Sequence, residues 1–258
     1  MHRPIGSQSV PPHLFKLIPH VGLRKSHMGG ILDILRYNDM DLYHALNRGV
    51  DKRTIFVDDA DRCRFIHDMY EFNDTAPAPD TYRTMWDLRS PTLKRFRTPI
   101  VDIHGWCLMG NHYHLLLSET VEGGLTLFLR KLNIGYAKYF NERYERTGTL
   151  FQGRTKKILI DNDAYFLHIL NYIHLNPLDF LENASSWRKR RIKNTTQTLN
   201  HLAQYRWSSY LDYVGTRNFP SILTTSFFQE IFGNYKKEIA SYLKDIGKEA
   251  DAHLWLED

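Results

Sequence analysis

At 258 residues the chain can form one domain with extensions, or two small domains, around a substantial core. Its 42% hydrophobic and 24% charged residues exclude a disordered or fibrous polypeptide, no apolar run approaches the length of a membrane span, and the first thirty residues lack the apolar stretch of a secretory signal. Lys and Arg exceed Asp and Glu by 34 − 29 = 5, with a pI near 9.1, which admits an anionic partner without requiring one. Cys63 and Cys107 alone make neither a disulfide framework nor a four-thiolate zinc site, so a cytoplasmic protein is expected.

Residues 1–40 carry scattered Pro, Gly and His without periodicity and read as an extension. Asp41–Asn47 alternates like a strand and Arg48-Gly49 ends it; Asp58-Asp59 then open a helix that runs through Phe72. Asn73–Pro99 holds four prolines and reads as a long excursion. Ile100–Met109 and His112–Glu119 are apolar segments joined by Gly110-Asn111, a hairpin signal in which Gly110 is expected to supply positive φ. Leu125–Tyr144 follows as an amphipathic helix with Leu125, Leu129, Leu132 and Tyr136 on one stripe. Gly148–Arg154 is a turn and Thr155–Ile160 a short strand. Asn162 or Asp163 caps a helix that reaches the Asn176-Pro177 break. A basic cluster fills Trp187–Lys193, Trp207–Tyr213 is an aromatic helical or turn segment, and residues 215–258 read as a helical tail. Strands and helices alternating around a hairpin indicate an α+β fold, with the main domain at 41–214.

The sharpest chemical feature is His112-Tyr113-His114. Alternation along a strand puts both imidazoles on one face and Tyr113 on the other, and two imidazoles expected to face solvent can share a divalent cation. His104, on the preceding strand, reads as structural. On the helix that follows Asn162, the residues Tyr165, His168, Tyr172 and Asn176 fall at spacings of 3, 4 and 4 and form one polar-capable face, while Phe166, Leu170, Ile173 and Pro177 turn toward the core. A tyrosine facing a metal can act as a nucleophile on a phosphodiester, whereas without the histidines Tyr172 reads as a packing residue. Asn176 could add an oxygen ligand, although its place before Pro177 disfavours helical backbone.

The string Trp106-Cys107-Leu108-Met109-Gly110-Asn111-His112-Tyr113-His114-Leu115-Leu116-Leu117 resembles the HUH signature of single-tyrosine transposases. Four further strings occur in order: Tyr43–Gly49, Gly148–Arg154, Tyr172–Pro177 and Trp207–Tyr210. Together, over about residues 41–214, they resemble the REP-associated tyrosine transposases. The resemblance implies a ferredoxin-like antiparallel sheet with flanking helices, the HUH endonuclease fold. It also implies Mg²⁺ or Mn²⁺ on His112 and His114 with Asn176 as a third ligand, and Tyr172 as nucleophile. The implied function is nicking and strand transfer of single-stranded or hairpin DNA through a 5′-phosphotyrosine, as in transposition. Gly110 stands where the family has Pro, residues 73–99 are longer than the family's usual connection, and residues 1–40 have no counterpart in it. Arg154, Arg188, Lys189, Arg190 and Arg191 are the expected DNA contacts, interleaved with aromatics suited to stacking on bases. Monomer and homodimer both remain open. The competing readings are a non-catalytic DNA-binding descendant of such a transposase and a metal-dependent phosphodiesterase that uses water.

Overall fold

The computed structural model describes residues 40–77, 97–181, 187–188, 192 and 194–245. Within them the chain runs β1 (Leu42–Arg48), α1 (Asp59–Glu71), β2 (Val101–Leu108), β3 (His112–Glu119), α2 (Gly124–Arg143), β4 (Lys156–Leu159), α3 (Asp163–Leu175), α4 (Thr195–Gln204), α5 (Tyr210–Tyr213), α6 (Ser226–Phe232) and α7 (Tyr235–Asp245). The strands form one antiparallel sheet in the order β2-β3-β1-β4. With β1α1β2β3α2β4 connectivity, this is the ferredoxin-like arrangement, and the fold is α+β.

Period-two alternation sorts the strand residues between two cores. Ala45, Ile103, Tyr113, Leu115 and Leu117 face α1 and α2, where Phe65, Ile66, Met69, Phe128, Leu132 and Tyr136 close the first core. Leu42, Cys107 and Leu116 face α3, whose Phe166, Ile169, Leu170 and Ile173 join Tyr210, Phe228, Tyr235 and Ile239 in the second. The sheet is therefore covered on both faces, and polar side chains on the α3 side are enclosed.

Local chemistry explains where elements begin. The Asp58 side chain accepts from the backbone N–H groups of Ala60 and Asp61, and Asn162 Oδ1 accepts from Tyr165 N at 2.8 Å, so α1 and α3 each start on a side-chain N-cap. The β2–β3 link differs from the sequence expectation. Gly110 is not among the glycines at positive φ, and a Cβ there would meet nothing within 4 Å, so glycine is not required. The turn is held instead by Met109 N–H donating to His112 C=O at 2.8 Å, with Gly110 C=O accepting from Ile55 N at 2.9 Å and Phe56 N at 3.1 Å. At the root of the long excursion, Asn73 Oδ1 accepts from Ile100 N at 2.9 Å and Val101 N at 3.0 Å, which clasps its two ends together. Residues 1–39 and 78–96 lie outside the described residues.

Candidate active site: a histidine face closed by helix α3

His112 and His114 point to the same face of β3, with ring centroids 5.0 Å apart, and Tyr113 points to the other. The expectation that both imidazoles face solvent does not hold. His114 is 0% exposed and His112 8%, because α3 lies across this face of the sheet. Tyr113 is fully buried in the first core, its hydroxyl donates to Asn133 Oδ1 at 2.8 Å, and burial pushes its pKa up to about 12.

Each histidine has its Nδ1 engaged. His112 Nδ1 lies 2.6 Å from Asn111 Oδ1, while the Nδ2 of the same amide donates to Lys52 C=O at 3.1 Å. His114 Nδ1 lies 2.9 Å from His44 Nε2, in a pair stacked at 5.2 Å. His44 comes from β1. In the strand register it pairs with Leu116, which sets it diagonal to His114 on the same face. Its Nδ1 continues to the Tyr165 hydroxyl at 3.2 Å.

Helix α3 brings the remaining groups. Tyr172 stands edge-on to His114 at 5.8 Å and to His44 at 6.0 Å between ring centroids. Asn176 is buried and, despite Pro177, keeps right-handed helical backbone (φ −51°, ψ −38°), because α3 passes directly into a 3-10 turn, Asn176–Phe180, with Pro177 near its start. Its Nδ2 donates to Tyr172 C=O at 3.0 Å. The polar face expected on α3 is thus assembled by Tyr165, Tyr172 and Asn176. His168 departs from it and packs 5.3 Å from Tyr242 on α7.

One guanidinium ties this end together. Arg188 donates to the Tyr172 hydroxyl at 3.1 Å, to Asn176 Oδ1 at 3.0 Å and to Asp179 at 2.6 and 3.2 Å. It also lies over the Trp187 ring at 4.7 Å, while Trp187 Nε1 donates to Asp179 at 2.7 Å. Burial works against its charge, yet the Asp179 carboxylate and the Tyr172 hydroxyl hold its pKa above the ordinary guanidinium value. Arg188 is therefore a fixed cation beside the tyrosine hydroxyl.

The other residues predicted from sequence fall as follows. Arg154 is exposed just before β4, where Lys156 pairs with Leu46 of β1 on the histidine face, and Arg48 pairs with His112 itself. Lys189, Arg190, Arg191 and Lys193 lie outside the described residues. His104 is structural, with Nε2 2.8 Å from Ser118 Oγ and Nδ1 3.2 Å from Thr224 O. Sequence reasoning gave His44 and Asp179 no role. His44 sat inside a recognised string, but its placement beside His114 depends on strand register, which spacing does not reveal.

Imidazole and amide groups are of the chemical kind that would hold a divalent cation. An imidazole that donates from Nδ1 keeps its lone pair on Nε2, and Asn111 forces that state on His112. Among the described residues no group of three His, Cys, Asp or Glu side chains is arranged to hold a metal. Of the three residues expected to hold a cation, His112 and His114 share one face of β3, while the Asn176 amide oxygen accepts from the Arg188 guanidinium at 3.0 Å. Among the described residues, no helix is long and apolar enough to cross a membrane.

No protein-family model and no curated protein matches the sequence. Among solved structures, the chain is similar to a REP-associated tyrosine transposase bound to a REP hairpin, at 14% identity and a TM-score of 0.40, over 71% of this chain and 84% of the other. At that identity and score the likeness bears on neither activity nor partners.

Proposed function

We propose that this chain nicks single-stranded DNA with Tyr172 and transfers the strand through a 5′-phosphotyrosine bond, with Mg²⁺ or Mn²⁺ held by His112, His114 and Asn176. The observation that supports it best is the meeting of Tyr172 with the histidine face, 5.8 Å from the His114 ring centroid, while a guanidinium donates to the tyrosine hydroxyl at 3.1 Å.

The residues divide the chemistry as follows. Tyr172 Oη loses its proton to solvent and bonds to phosphorus. The P–O3′ bond breaks, and the departing 3′ oxygen takes up a proton. The phosphotyrosine keeps one phosphodiester for another, so an incoming 3′-hydroxyl can reverse the step and join a new strand. Arg188 stabilises the negative charge that develops on Oη, and its ion pair with Asp179 keeps it from turning away. A bound cation would draw charge from the non-bridging phosphate oxygens. The mixed donor set of imidazole, amide and water suits Mn²⁺ better than Mg²⁺.

A labelled single-stranded oligonucleotide incubated with Mn²⁺ and resolved on a denaturing protein gel tests the proposal. A covalent adduct that disappears in Tyr172→Phe is the expected result. Free cut product without an adduct would replace the proposal with hydrolysis by water. Binding with neither product would replace it with a non-catalytic DNA-binding role.

A further inference from the structure

The Asn176 amide is fixed from both of its ends. Its Nδ2 donates to Tyr172 C=O at 3.0 Å, and its Oδ1 accepts from Arg188 Nη2 at 3.0 Å. Turning the amide over would set its NH₂ group against a guanidinium and its oxygen against a carbonyl, so both contacts would be lost together. Asn176 is 0% exposed, which leaves little water to replace either partner. The residue expected to be the third ligand of a divalent cation therefore already serves another cation, the guanidinium.

We infer that Arg188 competes with the divalent cation for Asn176: the guanidinium holds the amide oxygen in the free protein, and Asn176 joins His112 and His114 as a ligand only when Arg188 gives up that one contact. The inference rests on the proposed reading of those three residues as the cation ligands. An amide oxygen has two lone pairs, but a guanidinium and a divalent cation on the same oxygen repel each other, and an enclosed site screens that repulsion poorly. The release required of Arg188 is small. Nη2 has two hydrogens and donates to Asn176 Oδ1 and Asp179 Oδ2, while Nε donates to Asp179 Oδ1 and Nη1 to the Tyr172 hydroxyl. Arg188 can therefore let go of Asn176 and keep both its ion pair and its hold on the nucleophile. The one guanidinium thus works in two opposite directions, favouring negative charge on Tyr172 Oη and disfavouring a cation on Asn176.

That opposition separates Arg188 from a residue that only holds the site together, whose loss would weaken cation binding and chemistry alike. Arg188→Met keeps an unbranched stem beside Trp187 and removes the charge and the donors. It is expected to bind Mn²⁺ about tenfold more tightly than the wild type, although it forms the covalent adduct more slowly at saturating Mn²⁺. The Asp179 carboxylate left without its partner also attracts a cation, but it does so whether or not Asn176 is present. Adding Asn176→Ala removes the contested oxygen, so the difference between Arg and Met at position 188 should then shrink to about twofold or less.

Calorimetric titration of the full chain with Mn²⁺, without DNA, measures the wild type, Arg188→Met, Asn176→Ala and the double variant. Asn176→Ser takes the place of Asn176→Ala should the latter not unfold cooperatively. Tighter binding in Arg188→Met that is mostly lost when Asn176 is replaced is the expected result. Equal or weaker binding in Arg188→Met, or a gain as large without Asn176 as with it, would overturn the competition and leave the cation-dependent reading standing. Uptake of Mn²⁺ by none of the proteins would instead end that reading, and the competition with it.

Discussion

Tyr172, Arg188 and the paired histidines differ in what their loss should do, because they differ in burial. Tyr172→Phe removes one hydroxyl from a half-buried ring. It should abolish the covalent adduct while leaving the melting temperature and DNA affinity close to wild type. Mass spectrometry of the trapped adduct should place DNA on the peptide containing Tyr172, and linkage to Tyr165 or Tyr113 would count against the assignment. Arg188→Ala should slow adduct formation at neutral pH by about a hundredfold. The deficit should narrow toward alkaline pH, where hydroxide supplies the phenolate that the guanidinium had favoured; single-turnover rates against pH check this. The histidines should not behave alike. His112→Ala removes a ring that is 8% exposed at the end of β3, whereas His114→Ala empties a fully enclosed site and takes one hydrogen-bond partner from His44. The second should cost about 2–4 kcal/mol in urea unfolding and the first about 1 kcal/mol or less.

At the scale of the element, α3 is the part on which chemistry and stability converge. Its apolar face of Phe166, Ile169, Leu170 and Ile173 holds it to the sheet, and the register of that packing sets Tyr165 against His44 and Tyr172 against His114. Its start depends on the Asn162 cap, so Asn162→Ala should cost about 1 kcal/mol in urea unfolding. The far end of α3 is locked by a buried network. His174 Nε2 lies 2.7 Å from Ser209 Oγ, its Nδ1 lies 2.7 Å from the Tyr235 hydroxyl, and that hydroxyl donates to Asn171 Oδ1 at 2.8 Å. The Ser209 hydroxyl also accepts from Trp106 N at 2.9 Å, so the network binds α3 to β2 and α7. Two of the strings that carried the family resemblance, Tyr172–Pro177 and Trp207–Tyr210, thus contain residues that hold the scaffold, His174 and Ser209, and the first also carries Tyr172 and Asn176 of the site.

For the whole molecule, the buried histidines set a response to acid. Desolvation lowers His174 to a pKa of about 3 and His104 to about 4, and His67 is lowered to about 4 by the same burial with Arg64 nearby. Each is neutral in the folded state and takes up a proton on unfolding below its ordinary value near 6.5. Its stabilising effect is therefore complete above about pH 6.5 and is lost as pH falls toward the folded value, at about 1.4 kcal/mol per pH unit for each group. Asp68, which burial pushes up to about 7 against the pull of Arg64, works in the opposite sense between about pH 4 and 7. Three histidines outweigh one carboxyl, so the melting temperature should drop on acidification from pH 6.5 to 4. His104→Gln should make that drop shallower. The exposed basic side chains Arg154 and Lys156 stand at the β4 edge of the histidine face. If single-stranded DNA crosses that edge, replacing both with Ala should flatten the log–log salt dependence of binding by about 0.7 per lost phosphate contact.

Local patterns in the sequence were sufficient for the α+β class, the strand and helix positions from Leu42 to Leu175, and the shared face of His112 and His114. Each of these follows from alternation, helical spacing or a capping residue within a few positions along the chain. Turn geometry was less legible. Gly110 does not take the backbone expected of it, because contacts from Ile55 and Phe56, far away in sequence, shape that hairpin. Tertiary structure alone decided that the histidine face is buried, that His44 joins it, and that Arg188 and Asp179 converge on Tyr172 and Asn176. Strand register and the docking of one helix across a sheet arise from packing between segments that are distant in sequence. No periodicity within either segment records which residue of one will meet which residue of the other.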